Sequence, residues 1–201
     1  MRLIGINGYK TAGKDSTFQA VQARVSDRLN VQRAGFADKL KIMAAKAIGY
    51  DAPDEDLIAW MDEAKQCWEF NVIRKPECET ISQFSGRQYL QWFGGHARTV
   101  FGDSFWVDQV LPKPIGDPIG NSLALKRRYP GIDILCVTDV RYPNEAHRVL
   151  DLGGEVWVVE RPGLESDGHS SEEPLPAELV NFTIPNDGTL LELEERVAAF
   201  V

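Results

Sequence analysis

The residues best suited to chemistry lie near the N-terminus, in the stretch LIGINGYKTAGKDST, residues 3–17. Gly8, four intervening residues, Gly13 and Lys14 follow the spacing GxxxxGK. In that pattern backbone N–H groups surround a di- or triphosphate at a helix N-terminus and the lysine adds a point charge. Asp15 stands where the common loop has Ser or Thr, and Ser16 and Thr17 follow it. Its carboxylate is a hard oxygen suited to Mg²⁺, as is the neighbouring Ser16 hydroxyl, and a helix N-terminus favours negative charge. Lys10 is a second cation inside the loop. It offsets the repulsion between Asp15 and phosphate, and predicts a site where more negative charge gathers than one nucleotide brings. The competing reading is a glycine-rich strand-to-helix turn with two solvated lysines.

The flanks favour the phosphate reading. Leu3, Ile4 and Ile6 predict a short buried strand, and STFQAVQARVSDRL predicts a helix. The 201-residue chain suits one domain with a small insertion or lid, 43% of its residues being hydrophobic and 26% charged. With 22 basic and 30 acidic residues the net charge is −8, which argues against a protein that coats nucleic acid. Cys67, Cys78 and Cys136 show no CxxC spacing and suit reduced thiols, with Cys136 in the apolar run DILCVTDV read as core. No apolar run reaches the roughly 20 residues that span a bilayer, and no signal-peptide pattern precedes the first strand, so a cytoplasmic location is expected.

Further along, a second strand is expected to end at Phe36, followed by a helix to Gly49. In open α/β sheets ligands sit beyond the C-terminal ends of strands, which makes Asp38, Lys39 and Lys41 candidates. The alternative is a helix cap and solvated lysines. Residues 53–70 read as an amphipathic helix with Trp60 and Trp68 in its core. Helical spacing then resumes around Tyr89, Leu90 and Phe93, is loosened at Gly94 and Gly95, and continues toward Val107. Arg87, Gln91 and Arg98 share a helix face if the glycines do not break it. With Trp106 nearby, that face could hold a phosphate by arginine and a base by glutamine and an aromatic ring; the plainer reading is a solvated polar stripe on a helix whose aromatics are core. Residues 111–122, rich in Pro and Gly, argue against regular structure.

Residues 132–137 form the clearest later strand, running into Asp139 and Arg141. An acid at a strand tip can order Mg²⁺ or its waters, and the arginine can reach phosphoryl oxygens; otherwise Asp139 caps the helix that starts near Pro143. Strands over 155–160 and 182–185 and a last helix complete the pattern. Between those strands, residues 161–178 read as a lid that could carry Arg161 and His169 to the site. His169 shows no metal-ligand spacing with His96 or His147.

Taken together, GYKTAGKDST, FADKLK, GRQYLQWFGGHAR, TDVRYPNEA, DGHSSEE and PNDGTL resemble the deoxynucleoside monophosphate kinases of the phage type, over residues 3–190 or so. The resemblance implies a P-loop kinase fold: a five-stranded parallel sheet flanked by helices, a helical acceptor-binding insertion near 50–130 and a lid. It implies ATP and Mg²⁺ as cofactors and a deoxynucleoside monophosphate as acceptor. Charge and the lack of a long apolar run lead to no nucleic acid or membrane partner being expected, and the assembly is left open, a homodimer among the possibilities. By position, Gly8, Gly13, Lys14, Asp15, Ser16 and Thr17 would hold the ATP phosphates, with Arg161, Asn186 and Asp187 also on the nucleotide side. Lys10, Lys14 and Arg141 would act on the phosphoryl group in transit. Asp38, Lys41, Arg87, Gln91, Arg98, Trp106, Asp139 and Arg141 would line the acceptor site, and Asp15, Ser16 and Asp139 would serve the metal. One departure is Gly94–Gly95, where the family has Gly then Thr. Two other readings are a kinase of another phosphorylated acceptor, similar to phosphomevalonate kinases, and a non-enzymatic nucleotide-binding module acting on DNA.

Overall fold

The computed structural model describes residues 1–67, 69–73, 81–164 and 173–201. His169, Trp68 and Cys78 lie outside them, as does the central part of the expected lid. The chain divides into two compact units, Met1–Phe36 with Val107–Val201, and Ala37–Trp106.

In the first unit β1 (Arg2–Asn7), β2 (Val31–Ala34), β5 (Ile134–Val137), β6 (Glu155–Glu160) and β7 (Phe182–Pro185) form one parallel sheet in the order β2-β5-β1-β6-β7. A parallel sheet is covered on both faces and its strands read as continuous apolar runs. That explains the uninterrupted Leu3, Ile4 and Ile6. Alternate residues point to opposite faces, and the core divides accordingly. Leu3, Leu135, Val137 and Val156 join one cluster with Val107, Val110 and Leu125 and with Ala146 and Val149 of α7 (Pro143–Asp151). Ile4, Ile6, Ile134, Cys136, Trp157 and Val159 join the other, closed by α1 (Lys14–Val25) and α8 (Leu190–Ala198). Cys136 is core, and burial pushes its thiol up to about 12 despite the opposing field of Arg2.

The second unit packs α2 (Phe36–Ala47, whose first residue belongs to the first unit), α3 (Asp54–Cys67) and α4 (Gly86–Phe101) around Ala44, Leu57, Met61, Ala64 and Leu90. It also carries an antiparallel pair, β3 (Glu69–Ile73) with β4 (Ile81–Ser85), where a helix was expected to reach residue 70. Runs this short fit helix or strand equally in isolation, and the pairing decides. Gly94 and Gly95 do not break α4. Gly94 is a close-packing site, since a Cβ there would come 3.2 Å from Leu40. At Gly95 a Cβ would meet nothing within 4 Å, and nothing in the structure explains the glycine.

Other elements also depart from expectation. β2 ends at Ala34, and Phe36 opens α2. The segment after α5 (Phe105–Val110) is not irregular throughout: α6 (Pro118–Arg128) starts inside it, with Pro118 in the first turn, where its missing N–H costs nothing, and Asp117 accepting from Gly120 N–H at 2.7 Å. The last part of the expected lid packs on the first unit. Leu175 and Leu179 are buried in the first core cluster, the latter in a 3₁₀ turn over Ala177–Leu179.

Leu135 is fully buried between β1 and β2, so Leu135→Ala should lower the unfolding free energy by about 2–5 kcal/mol, while Leu191→Ala, 64% exposed, should shift it by less than about 0.5 kcal/mol. Urea unfolding of both variants measures the difference.

Candidate functional site

Because all five strands run parallel, their C-terminal ends share one edge, where ligands of open α/β sheets bind. Backbone contacts hold the connections there side by side. Val140 N–H donates to Ile6 O at 3.2 Å, and the Asn7 amide donates to Val140 O at 2.8 Å, tying the tip of β5 to the end of β1 just before Gly8. Thr138 N–H bonds Ala34 O at 3.1 Å on the β2 side, and Asn186 N–H bonds Glu160 O at 2.6 Å on the β6 side.

The loop between β1 and α1 needs its two framing glycines. Gly8 has φ 149° and a Cβ there would lie 2.6 Å from Val159 O. Gly13 has φ 106° and a Cβ there would collide with Asn186 Nδ2. Thr11, with φ 63°, is left-handed as well, and such turns align successive N–H groups into anion-binding concavities. The loop's carbonyls are engaged. Lys14 Nζ donates to Gly8 O at 2.6 Å and Tyr9 O at 2.7 Å, Asn186 Nδ2 donates to Ala12 O at 2.7 Å, and Thr17 Oγ donates to Gly13 O at 3.0 Å. Thr17 is fully buried and thus braces the loop from below, whereas Lys10 is exposed at its tip.

At the start of α1 Asp15 is exposed, 3.6 Å from Arg33 of β2, and Ser16 is half-buried. At the β5 tip Asp139 Oδ1 accepts Phe36 N–H at 2.9 Å and so caps α2. At the start of α7 Glu145, 3% exposed, accepts from Arg141 N–H at 2.7 Å and Tyr142 N–H at 3.0 Å. This fixes the backbone that carries Arg141. Beside it, the Thr138 hydroxyl, 2% exposed, makes no hydrogen bond among the described residues. Three residues thus escaped the sequence reading: Asn7, Arg33 and Glu145. For Glu145 a signal existed, an acid three residues after the residue preceding the helix.

On the other side of the loop, Arg161 and Asp187 line a cleft of about 820 Å³ together with Gly8, Tyr9 and Phe182. Asp187 pairs with Arg196 of α8 at 2.6 Å, and the guanidinium's hydrogen bond holds its carboxyl below the usual range. No group of three or more His, Cys, Asp or Glu able to hold a metal ion occurs among the described residues. Magnesium needs no such cage, since one or two carboxylates plus phosphate oxygens and water complete its shell.

The remaining candidates lie in the second unit. Lys41 is neither solvated nor open: it is 9% exposed and bonded to Asp62 at 2.9 Å and Asp38 at 3.4 Å. Arg87 and Gln91 are exposed and Arg98 is half-buried. Trp106, 2% exposed, gives its indole N–H to Gly94 O at 3.1 Å and packs against Phe93 and Phe105, so its ring serves the core of this unit and not an open stacking face. Exposed aromatic surface on α4 belongs instead to Trp92, tilted against His96, and to Phe101, stacked on Phe105.

No family model matches the chain. It is 26% identical, over all of its length and 96% of the relative's, to a protein of Acanthamoeba polyphaga mimivirus named "Putative deoxynucleotide monophosphate kinase". The crystal structure of an unliganded sugar kinase from Janibacter sp. HTCC2649 aligns with 99% of this chain and 93% of its own, at 13% identity and a TM-score of 0.37. Among the described residues no helix is long and apolar enough to cross a membrane.

Burial raises the Asp62 carboxyl pKa, but the ammonium groups of Lys65 and Lys41 outweigh it and hold the group below the usual aspartate value. A depressed folded-state pKa adds stability above the unfolded value, near 3.9, that is lost as the pH falls through the folded one. Asp62→Asn should therefore be less stable than wild type at pH 7, and the gap should narrow below about pH 3.9. Thermal melts across pH 2–7 read this out.

Proposed function

We propose that this protein is an ATP- and Mg²⁺-dependent kinase that transfers a phosphoryl group to a deoxynucleoside 5′-monophosphate, giving the diphosphate and ADP. The observation that carries the reading is the glycine-framed loop with Lys14, set at the C-terminal end of the central strand, whose carbonyls are engaged by Lys14, Asn186 and Thr17. The name of the mimivirus relative supports the choice of acceptor.

On this reading the loop N–H groups and Lys14 bind the ATP phosphates, and Lys10 reaches the group in transit. Asp15 and Ser16 offer hard oxygens at the start of α1 and would hold Mg²⁺, with Asp139 contributing from the β5 tip. When bound, the ion supplies charge neutralisation at the phosphate oxygens. The acceptor's second phosphate pKa is near ~6, so at pH 7 its attacking oxygen is largely ionised and no general base is needed. Asp139 then orders the metal shell or the acceptor, with Oδ1 held by the Phe36 N–H. Arg141, on backbone fixed by Glu145, orients the meeting phosphates with its planar fork. In the second unit Arg87, Gln91 and Arg98 are the acceptor-side residues; Lys41 and Asp38 act through their ion pair, and Trp106 through packing.

A coupled ADP-release assay across the nucleoside monophosphates, with ribose and deoxyribose and with mevalonate phosphate as control, should show turnover dependent on a deoxynucleoside monophosphate. Turnover of mevalonate phosphate alone, or of no monophosphate, would overturn the proposal.

Lys14→Ala should lower turnover at least about 100-fold while changing the unfolding free energy by only about 1–2 kcal/mol, the contribution of two partly exposed hydrogen bonds. Arg141→Lys keeps the charge, loses the bidentate geometry, and should still depress turnover about 10-fold or more. Wild-type rates in either variant would remove that residue from the mechanism.

A further inference from the structure

We infer that Asn186 is a positioning residue for the phosphate-binding loop, aiming the Gly13 N–H at polyphosphate by holding the carbonyl of the same peptide. The resemblance assigned Asn186 to the nucleotide itself; the geometry points to the loop. Its side-chain Nδ2 donates to Ala12 O at 2.7 Å, across 174 positions of sequence. Its own backbone N–H is fixed on Glu160 O at 2.6 Å, one step beyond the last pair of the β6–β7 ladder, Glu160 with Pro185. The amide is therefore anchored to the sheet and not to the loop it holds.

The consequence follows from peptide geometry. Ala12 O and the Gly13 N–H belong to one planar trans unit, in which C=O and N–H point in opposite directions. Fixing the oxygen toward Asn186 turns the Gly13 N–H away from it. The next peptide is fixed in the same way, because Gly13 O accepts from Thr17 N–H at 2.8 Å and from Thr17 Oγ at 3.0 Å, which sets the Lys14 N–H. Two successive donors are thereby oriented, one by a residue of α1 and one by a residue beyond β7. Gly13 takes its identity from the same contact: a Cβ would strike Asn186 Nδ2, and φ 106° with ψ 22° is a left-handed conformation.

The inference rests on the kinase reading only in that the anion is a polyphosphate. Tripolyphosphate, which has neither base nor sugar, separates positioning of the loop from contact with the nucleoside. Calorimetric titration should show binding to wild type, about 3–10-fold weaker binding to Asn186→Ala, the loss of one neutral hydrogen bond, and a larger loss for Asn186→Asp, which sets an acceptor against Ala12 O. The KM for ATP should rise in both variants while the KM for the acceptor stays within about twofold. Asn186→Ser, uncharged and small, supplies the measurement if the Asp variant does not fold. Unchanged tripolyphosphate affinity in folded Ala or Ser variants with a raised KM for ATP would mean a base or sugar contact and overturn the inference. Wild-type protein that does not bind tripolyphosphate would overturn the phosphate-loop reading and this inference with it.

Discussion

The parallel pairing of β1 between β5 and β6 is the constraint from which the rest follows. Side chains on a strand alternate, so a slip of one residue would exchange Leu3 with Ile4 between two different core clusters. With both faces buried, that slip is excluded, and the end of β1 is fixed relative to its neighbours. Parallel strands then place every following connection on the same edge. The loop of Gly8 and Gly13, the Asp139 turn and the Asn186 turn meet because register and direction leave them no other place. Contacts such as Val140 N–H to Ile6 O lock the last residues of that arrangement.

What could be read from the sequence is what repeats locally. Continuous apolar runs announced β1, β5 and β6, and GxxxxGK between a strand and a helix announced the loop. Contacts between distant residues left no such trace. Arg33 beside Asp15, Asn186 on Ala12 O and Asp139 on the Phe36 N–H join positions 18, 174 and 103 apart, numbers that follow from 33 − 15, 186 − 12 and 139 − 36. The β3–β4 pair was missed because five-residue runs carry too few periods to separate strand from helix. The start of α6 was missed for another reason: proline was taken as a breaker where, at the first helical turn behind an Asp cap, it is well suited. Of the two readings open for Trp106, the structure follows the one that made the aromatics core, since a tryptophan's burial depends on what closes over it.

In a chain of net charge −8 positive potential is local, and the structure places two of its lysines in different surroundings. Lys41 is buried and matched by Asp38 and Asp62, so its charge is spent inside the second unit and projects little field. Lys14 is placed differently. Its ammonium donates to the backbone carbonyls of Gly8 and Tyr9, which ties the start of α1 back across the loop that precedes it. Asp15 fits the same scheme. Alone it would repel phosphate, but it sits at a helix N-terminus and beside Arg33, both of which offset its charge, while its oxygens stay exposed. An acid at this position is therefore tolerated by its surroundings.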